Sequence, residues 1–190
     1  MPSHPAPAAP PAGSRVELRP LTLADQDEFC AMVAASAELY GPWMQLPSTP
    51  DAFREWMHRF DDGSNMGFLI RNRETGEATG TVNINSVIRG RYQGASLGYA
   101  AFAPSAGRGY MTEGLTLVLR YAFEQLRLHR LEASIQPANT ASLAVVRRLG
   151  FQYEGLSPAY LYIDGAWRDH ERFSLAAPEP WTPDPSLPAV

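Results

Sequence analysis

Two short stretches carry residues in patterns suited to anion binding and to proton transfer. The first is Ala106-Gly107-Arg108-Gly109-Tyr110-Met111-Thr112. Gly107 and Gly109 lack Cβ atoms, so a ligand can approach their backbone closely. A helical apolar repeat follows, and the unpaired first-turn N–H groups of a helix, aided by its dipole, attract an anion. Arg108 adds a mobile cation and Thr112 a hydroxyl. A diphosphate would suit this loop. A plain Gly-rich turn from strand to helix would read the same way, since no G-K-S/T follows and the full G-x-G-x-x-G spacing is absent. The second stretch is Asn139-Thr140-Ala141-Ser142, after Pro137. Asn139 stands at an N-cap, and Ser142 shares a helix face with Val145, Val146 and Leu149, which turns its hydroxyl inward. Both residues could serve only the helix, as a cap and a first-turn hydrogen bond. On spacing alone, that structural role is the better reading.

Other chemistry is narrowed by composition. Cys30 is the only cysteine among 190 residues, which rules out an intrachain disulfide and any metal site built from several cysteines. A reducing compartment, the cytoplasm, suits such a chain. The net charge of −4 and the lack of a Lys/Arg run argue against direct nucleic-acid binding. No apolar stretch approaches the roughly 20 residues of a membrane helix, and Met1–Gly13 lacks the charged and apolar regions of a secretory signal.

The length and the 45% hydrophobic content suit one core rather than two. Residues 1–13 read as a disordered Pro/Ala-rich tail, residues 14–177 as one folded domain, and residues 178–190 as a Pro-rich C-terminal tail. Within the domain, Val16–Arg19 alternates as a strand. Thr22 and Asp25 form a capping-box pattern that should start a helix. Thr49-Pro50 should start another, with Phe53, Trp56, Met57 and Phe60 on its apolar stripe. Phe68–Ile70 reads as a short strand, and Ala78–Asn85 as a half-buried one, with Thr79, Thr81, Asn83 and Asn85 on the polar face. A strand at Ala95–Phe102 precedes the glycine loop. A helix is expected from about Tyr110 to Arg127, then a strand at Leu131–Gln136 and a helix at Asn139–Leu149 ended by Gly150. Phe151–Glu154 and Arg168–Leu175 should be closing strands, separated by a Tyr-rich connection. The order describes a mixed α/β domain.

Taken in order, Leu97-Gly98-Tyr99, Gly107-Arg108-Gly109-Tyr110-Met111-Thr112-Glu113, Asn139-Thr140-Ala141-Ser142 and Arg148-Leu149-Gly150-Phe151 resemble the GNAT acetyltransferase superfamily. Val87-Ile88-Arg89-Gly90, Leu128-His129-Arg130, Tyr162 through His170 and Trp181-Thr182-Pro183 are similar to its RimJ/RimL-type ribosomal-protein-alanine N-acetyltransferases. The resemblance implies an α/β, single GNAT-like domain: a mixed, mostly antiparallel sheet with a central splayed parallel strand pair and flanking helices. It implies acetyl-CoA as cofactor, held by Ala101, Phe102, Ala106, Gly107, Arg108, Gly109, Tyr110, Met111, Thr112, Asn139 and Ser142. Ser142 would be the catalytic acid that protonates the leaving thiolate. Trp43, Asn83, Asn85 and Tyr160 would face the acceptor, and no metal is implied. Ala106 departs from the family pattern, where Gln or Arg usually opens the loop, so backbone amides must carry more of the grip. Gly114 stands where Ala is common, at a helix-propensity cost of about 1 kcal/mol.

By the same resemblance, a primary amine attacks the acetyl group directly, without an acyl-enzyme. The N-terminal α-amine of a protein is the expected acceptor. A small-molecule amine is the alternative, and a non-catalytic acetyl-CoA-binding module is a third reading. The chain would act as a monomer or homodimer. Its general base is left unassigned among groups that include Tyr160, Tyr162, Asp164, Asp169 and His170.

Overall fold

The computed structural model describes residues 4–41, 43–179 and 181–182. Its strands are β1 (Val16–Pro20), β2 (Met66–Asn72), β3 (Ala78–Ile88), β4 (Gly94–Ala101), β5 (Arg130–Ile135), β6 (Gln152–Ile163) and β7 (Ala166–Ala176). The α-helices are α1 (Gln26–Ala35), α2 (Ala37–Tyr40), α3 (Pro50–Met57), α4 (Tyr110–Arg120) and α5 (Thr140–Arg148). The strands form one sheet in the order β1-β2-β3-β4-β5-β7-β6. Every neighbouring pair is antiparallel except β4 with β5. This is the expected mixed sheet with a central parallel pair.

Helices cover both faces. On one side, α4 and α5 bury Leu115, Val118, Leu143 and Val146 against Phe68, Ile70, Val82, Ile84 and Leu97. On the other, Phe29, Cys30, Val33, Phe53 and Met57 from α1 and α3 pack on Leu69, Ala100 and Phe102. The second layer corrects the reading of β3 as half-buried: both of its faces are buried from Ala78 to Ile84. Its threonines tolerate this because they hydrogen-bond the neighbouring strand, Thr79 Oγ1 donating to Ile70 O at 3.1 Å and Thr81 Oγ1 to Phe68 O at 3.0 Å.

Local signals set several boundaries. Thr22 and Asp25 form the capping box, around a 3-10 turn (Leu23–Asp25) that leads into α1. Thr49 Oγ1 accepts from Ala52 N at the start of α3. Gly150, with φ of +87°, follows the end of α5. Two expectations change. The helix from Tyr110 does not run unbroken to Arg127: α4 ends at Arg120 and a π-turn (Tyr121–Gln125) follows. The Tyr-rich connection is strand, because β6 continues to Ile163 and a tight turn at Asp164-Gly165 joins it to β7.

The described terminal segments rest on the domain. Tyr121 Oη donates to Pro5 O at 2.8 Å, and Pro7, Ala8 and Ala9 lie beside Leu18 and Leu117. Trp181 Nε1 donates to Leu128 O at 3.1 Å. The remainder of the C-terminal tail, including Pro183, lies outside the described residues.

Candidate active site

The glycine loop falls where the sequence expects it, between β4 and α4. Gly107 and Gly109 have φ of +76° and +85°, the left-handed region that a branched side chain resists. A Cβ at Gly107 would meet nothing within 4 Å, so that face of the loop is open. The N–H groups of Tyr110, Met111 and Thr112 precede the first intrahelical bond, Glu113 N to Gly109 O, and so are available to a ligand. Arg108 is exposed and its guanidinium has no acidic partner among the described residues. Ala106 offers no side-chain donor, and its own N–H is spent on Ala103 O.

Arg15, far away in sequence, braces this loop. It pairs with Glu113 in the first turn of α4, with Nε donating to Oε1 at 2.7 Å, and another guanidinium N–H reaches Arg108 O at 3.1 Å. Its charge also lies 4.8 Å from the centre of the Tyr110 ring. Nothing in the sequence pattern pointed to Arg15, because the contact is purely tertiary.

The two parallel strands then part. β4 pairs with β5 only at Gly94, Ala95 and Ser96. Further along, Phe102 N–H bonds Thr79 O on β3. Strand alternation therefore turns the N–H and C=O groups of Ala101 and Tyr99 toward the side β5 has vacated. Phe102, expected at the cofactor, offers nothing there: its ring is fully buried in the α1–α3 layer, its N–H is bonded to Thr79 O, and its carbonyl accepts from Ser105 N. An unpaired strand edge beside an open anion loop fits an extended ligand with a diphosphate at one end and amides along its length.

At the splay, a cleft of about 400 Å³ is lined by residues that include Trp43, Gly98, Tyr99, Gln136, Asn139, Ser142 and His170. Asn139 caps α5, its Oδ1 accepting from Ser142 N at 3.1 Å. Ser142 Oγ lies 2.6 Å from Tyr99 Oη, close enough for a short hydrogen bond in either direction. Burial pushes the Tyr99 hydroxyl up to about 12, and the Ser142 hydrogen bond opposes that shift only in part. The pair is therefore a proton donor at neutral pH and not a base. Ser142 thus lies in the cleft, as expected, and its contact with Tyr99 was not foreseen.

The expected acceptor residues divide. Trp43 lines the cleft, and its carbonyl accepts from Gln136 Nε2 at 3.4 Å. Asn85 sits behind the cleft floor: a Cβ at Gly98 would stand 3.3 Å from Asn85 Nδ2, while Asn85 Oδ1 accepts from Arg59 at 2.8 Å. Asn83 is buried beside Gly67 and Phe60, and its Oδ1 has no partner among the described residues. Tyr160 does not line the cleft; it stands behind His170, ring to ring at 5.8 Å. Asp169 and Asp164 also point elsewhere, Asp169 to Ala159 N at 2.8 Å and Asp164 to Gln45 at 3.4 Å.

Comparison with known proteins agrees with this geometry. The sequence model of the acetyltransferase (GNAT) domain matches residues 15–152. Probable N-acetyltransferase YjcK of Bacillus subtilis is 30% identical over 175 residues, covering 88% of this chain and 97% of that protein. The ribosomal protein uS5-alanine N-acetyltransferase of Escherichia coli is 38% identical over 121 residues, 64% of this chain and 62% of that one. Among solved structures, RimJ of Mycobacterium smegmatis in complex with CoA-disulfide superposes with a TM-score of 0.78 at 30% identity, covering 85% of this chain and 82% of that one.

Proposed function

This chain belongs to the acetyltransferase (GNAT) family, and we propose that it acetylates the N-terminal α-amine of a protein. It is an acetyl-CoA-dependent N-acetyltransferase; the acceptor is the inference. One observation carries that inference: among the described residues, no Asp or Glu lines the cleft. A polyamine carries several cationic groups and needs carboxylates to replace their water. A peptide terminus presents one amine followed by neutral amides, and neutral walls suit it. The ribosomal-protein-alanine relative favours the same class.

The residues divide the work along the cleft. The amides of Gly107 to Thr112, with Arg108, would hold the diphosphate. Backbone groups of Tyr99 and Ala101 would pair with the pantetheine arm as an added strand, with Asn139 beside it. When bound, acetyl-CoA supplies a thioester carbonyl that an amine can attack directly. Ser142 Oγ would then give its proton to the departing thiolate, and Tyr99 would reprotonate Ser142 through the 2.6 Å contact. Cys30 takes no part. It is buried in the α1–α3 layer, and burial raises its thiol above the ordinary value.

Trp43 and Met44 wall the acceptor end, with Asn83 and Asn85 shaping the strand behind it. Among the described residues, no helix is long and apolar enough to cross a membrane. The reading places the enzyme in the cytoplasm, as monomer or homodimer, without a direct nucleic-acid contact.

The test is a transfer screen of acetyl-CoA against N-terminal peptides and free amines, read by mass. A gain of one acetyl group on a peptide α-amine is expected. Transfer only to polyamines or other small amines would overturn the acceptor assignment and leave the family reaction intact.

A further inference from the structure

Amine attack requires a proton acceptor, and among the described residues the cleft contains one side chain of a type that ordinarily changes charge near neutral pH, His170. The residue lies on β7, opposite Ser157 of β6 and next to Glu171, which pairs with Ile135 at the end of β5. The strand register thus delivers its ring to the point where β5 stops and the cleft begins. Only 2% of the residue is exposed. His170 Nδ1 lies 3.0 Å from Arg168 O. A carbonyl can only accept, so Nδ1 carries the hydrogen and Nε2 keeps its lone pair. Nε2 has no hydrogen-bond partner among the described residues.

The charged groups around the ring are engaged with other partners. Tyr160 from β6 packs its ring on the imidazole. The Arg172 guanidinium lies 4.5 Å from the centre of that tyrosine ring and is paired to Glu132 at 2.6 Å. On β7, Asp169 accepts from Ala159 N and Glu171 faces Arg147 at 3.6 Å. From β4, Tyr99 presents a hydroxyl bonded to Ser142. Among the described residues, no carboxylate competes for the role within the cleft.

We propose that His170 Nε2 is the general base that takes the proton from the acceptor amine. As the amine nitrogen bonds to the acetyl carbon, its N–H proton passes to Nε2. The carbon–sulfur bond breaks, the sulfur keeps that electron pair, and the Tyr99–Ser142 hydroxyl pair protonates it. The imidazolium then returns its proton to water and the hydroxyl pair takes one back from water, so both groups are restored. This rests on the acetyl-transfer reading above and extends it to the group that reading leaves unassigned.

The experiment combines nitrogen-15 NMR of the imidazoles, in the parent enzyme with CoA bound, with kinetics of His170→Gln and His170→Ala. The NMR spectrum should show the Nδ1-protonated tautomer at neutral pH; the Nε2-protonated form would overturn the assignment. Glutamine can still donate to Arg168 O but cannot take a proton. Turnover in His170→Gln should fall by about 10²- to 10⁴-fold, with acetyl-CoA affinity by calorimetry unchanged. The loss of parent turnover on acidification should vanish from the residual rate, and added imidazole should restore part of the rate to His170→Ala. Parent-like turnover in His170→Gln, or an unchanged acidic limb, would sink the proposal. Should His170→Gln fail to fold, the parent tautomer still decides. A parent enzyme that transfers acetyl to no amine would count against the acetyl-transfer reading itself, whereas an active parent matched by His170→Gln counts against the base alone.

Discussion

Ser142 and Tyr99 hold each other in place, and the loop glycines hold nothing but space; substitutions at the two sites should therefore fail in different ways. Ser142→Ala removes a hydroxyl without moving the backbone, since Asn139 caps the helix through Ser142 N. It should lower turnover by about 10²-fold or more and leave acetyl-CoA affinity near that of the parent. Gly109→Val instead forces a β-branched residue to φ of +85° and brings its Cβ to 3.2 Å from the Arg15 guanidinium. That variant should lose acetyl-CoA binding by calorimetry. Equal turnover in Ser142→Ala and parent would remove the acid role, and parent-like affinity in Gly109→Val would remove the loop from the cofactor site. Legibility follows the range of the contact. Helical spacing turns Ser142 inward beside Asn139, while its acid role rests on the family resemblance. Tyr99 could not be assigned, because its hydroxyl matters only once a strand 43 residues away lies under α5. Arg15 left no trace in any pattern for the same reason, reaching Glu113 across 98 residues. His170 was visible as one of several polar groups near the hairpin, and only the strand register separated it from Asp164 and Asp169.

Elements were legible where one local rule decided them and less so where a second layer intervened. Capping residues fixed the starts of α3 and α5. Alternation in β3 located the strand but misjudged its exposure, because threonine can be buried when its hydroxyl finds a backbone carbonyl. The π-turn after α4 carries no proline or glycine to announce it. The later part of β6 was hidden by Gly155, Pro158 and Ala159, which mark its two register shifts rather than its end. Gly114 shows how packing can overrule propensity. In an isolated helix, Gly114→Ala would gain about 1 kcal/mol. Here the new Cβ would lie 2.3 Å from Ile70 Cδ1 and 2.6 Å from Cγ1, so α4 needs the glycine to sit this close to β2. Gly80 plays the matching part for Met111, whose Cε lies 2.7 Å from where a Gly80 Cβ would be. Gly114→Ala should thus destabilise the protein by about 1–3 kcal/mol in denaturant unfolding. The same change made on an Ile70→Ala background should cost less, or gain. A stabilising Gly114→Ala in the parent would contradict the close approach.

Across the whole molecule, the two halves of the sheet are tied by carboxylates that must stay ionised. At one end, burial alone would raise the Asp25 carboxyl, but hydrogen bonds from Arg19 and Thr22 outweigh it and hold the group below its ordinary value. On β5, within the half of the sheet that ends at β6, burial likewise acts to raise Glu132. Tyr92 at 2.5 Å, Arg130 at 2.8 Å and Arg172 at 2.6 Å reverse that shift. Arg130 also reaches Glu154 at 2.5 Å, so β5, β6 and β7 share one network. A carboxyl depressed on folding contributes stability that is complete above its unfolded value, about 4.3 for Glu. That contribution is lost as pH falls through the lower native value. Glu132→Gln keeps the side chain's shape and discards its charge, leaving Arg130 and Arg172 short of a partner. At pH 7 its Tm should lie below that of the parent. On acidification toward pH 3 the parent should lose its advantage first, because only the parent has a carboxylate at this position to protonate. The gap in Tm between the two should therefore narrow as pH falls. Parallel curves from neutral to acid pH would mean that Glu132 is held by packing and not by charge.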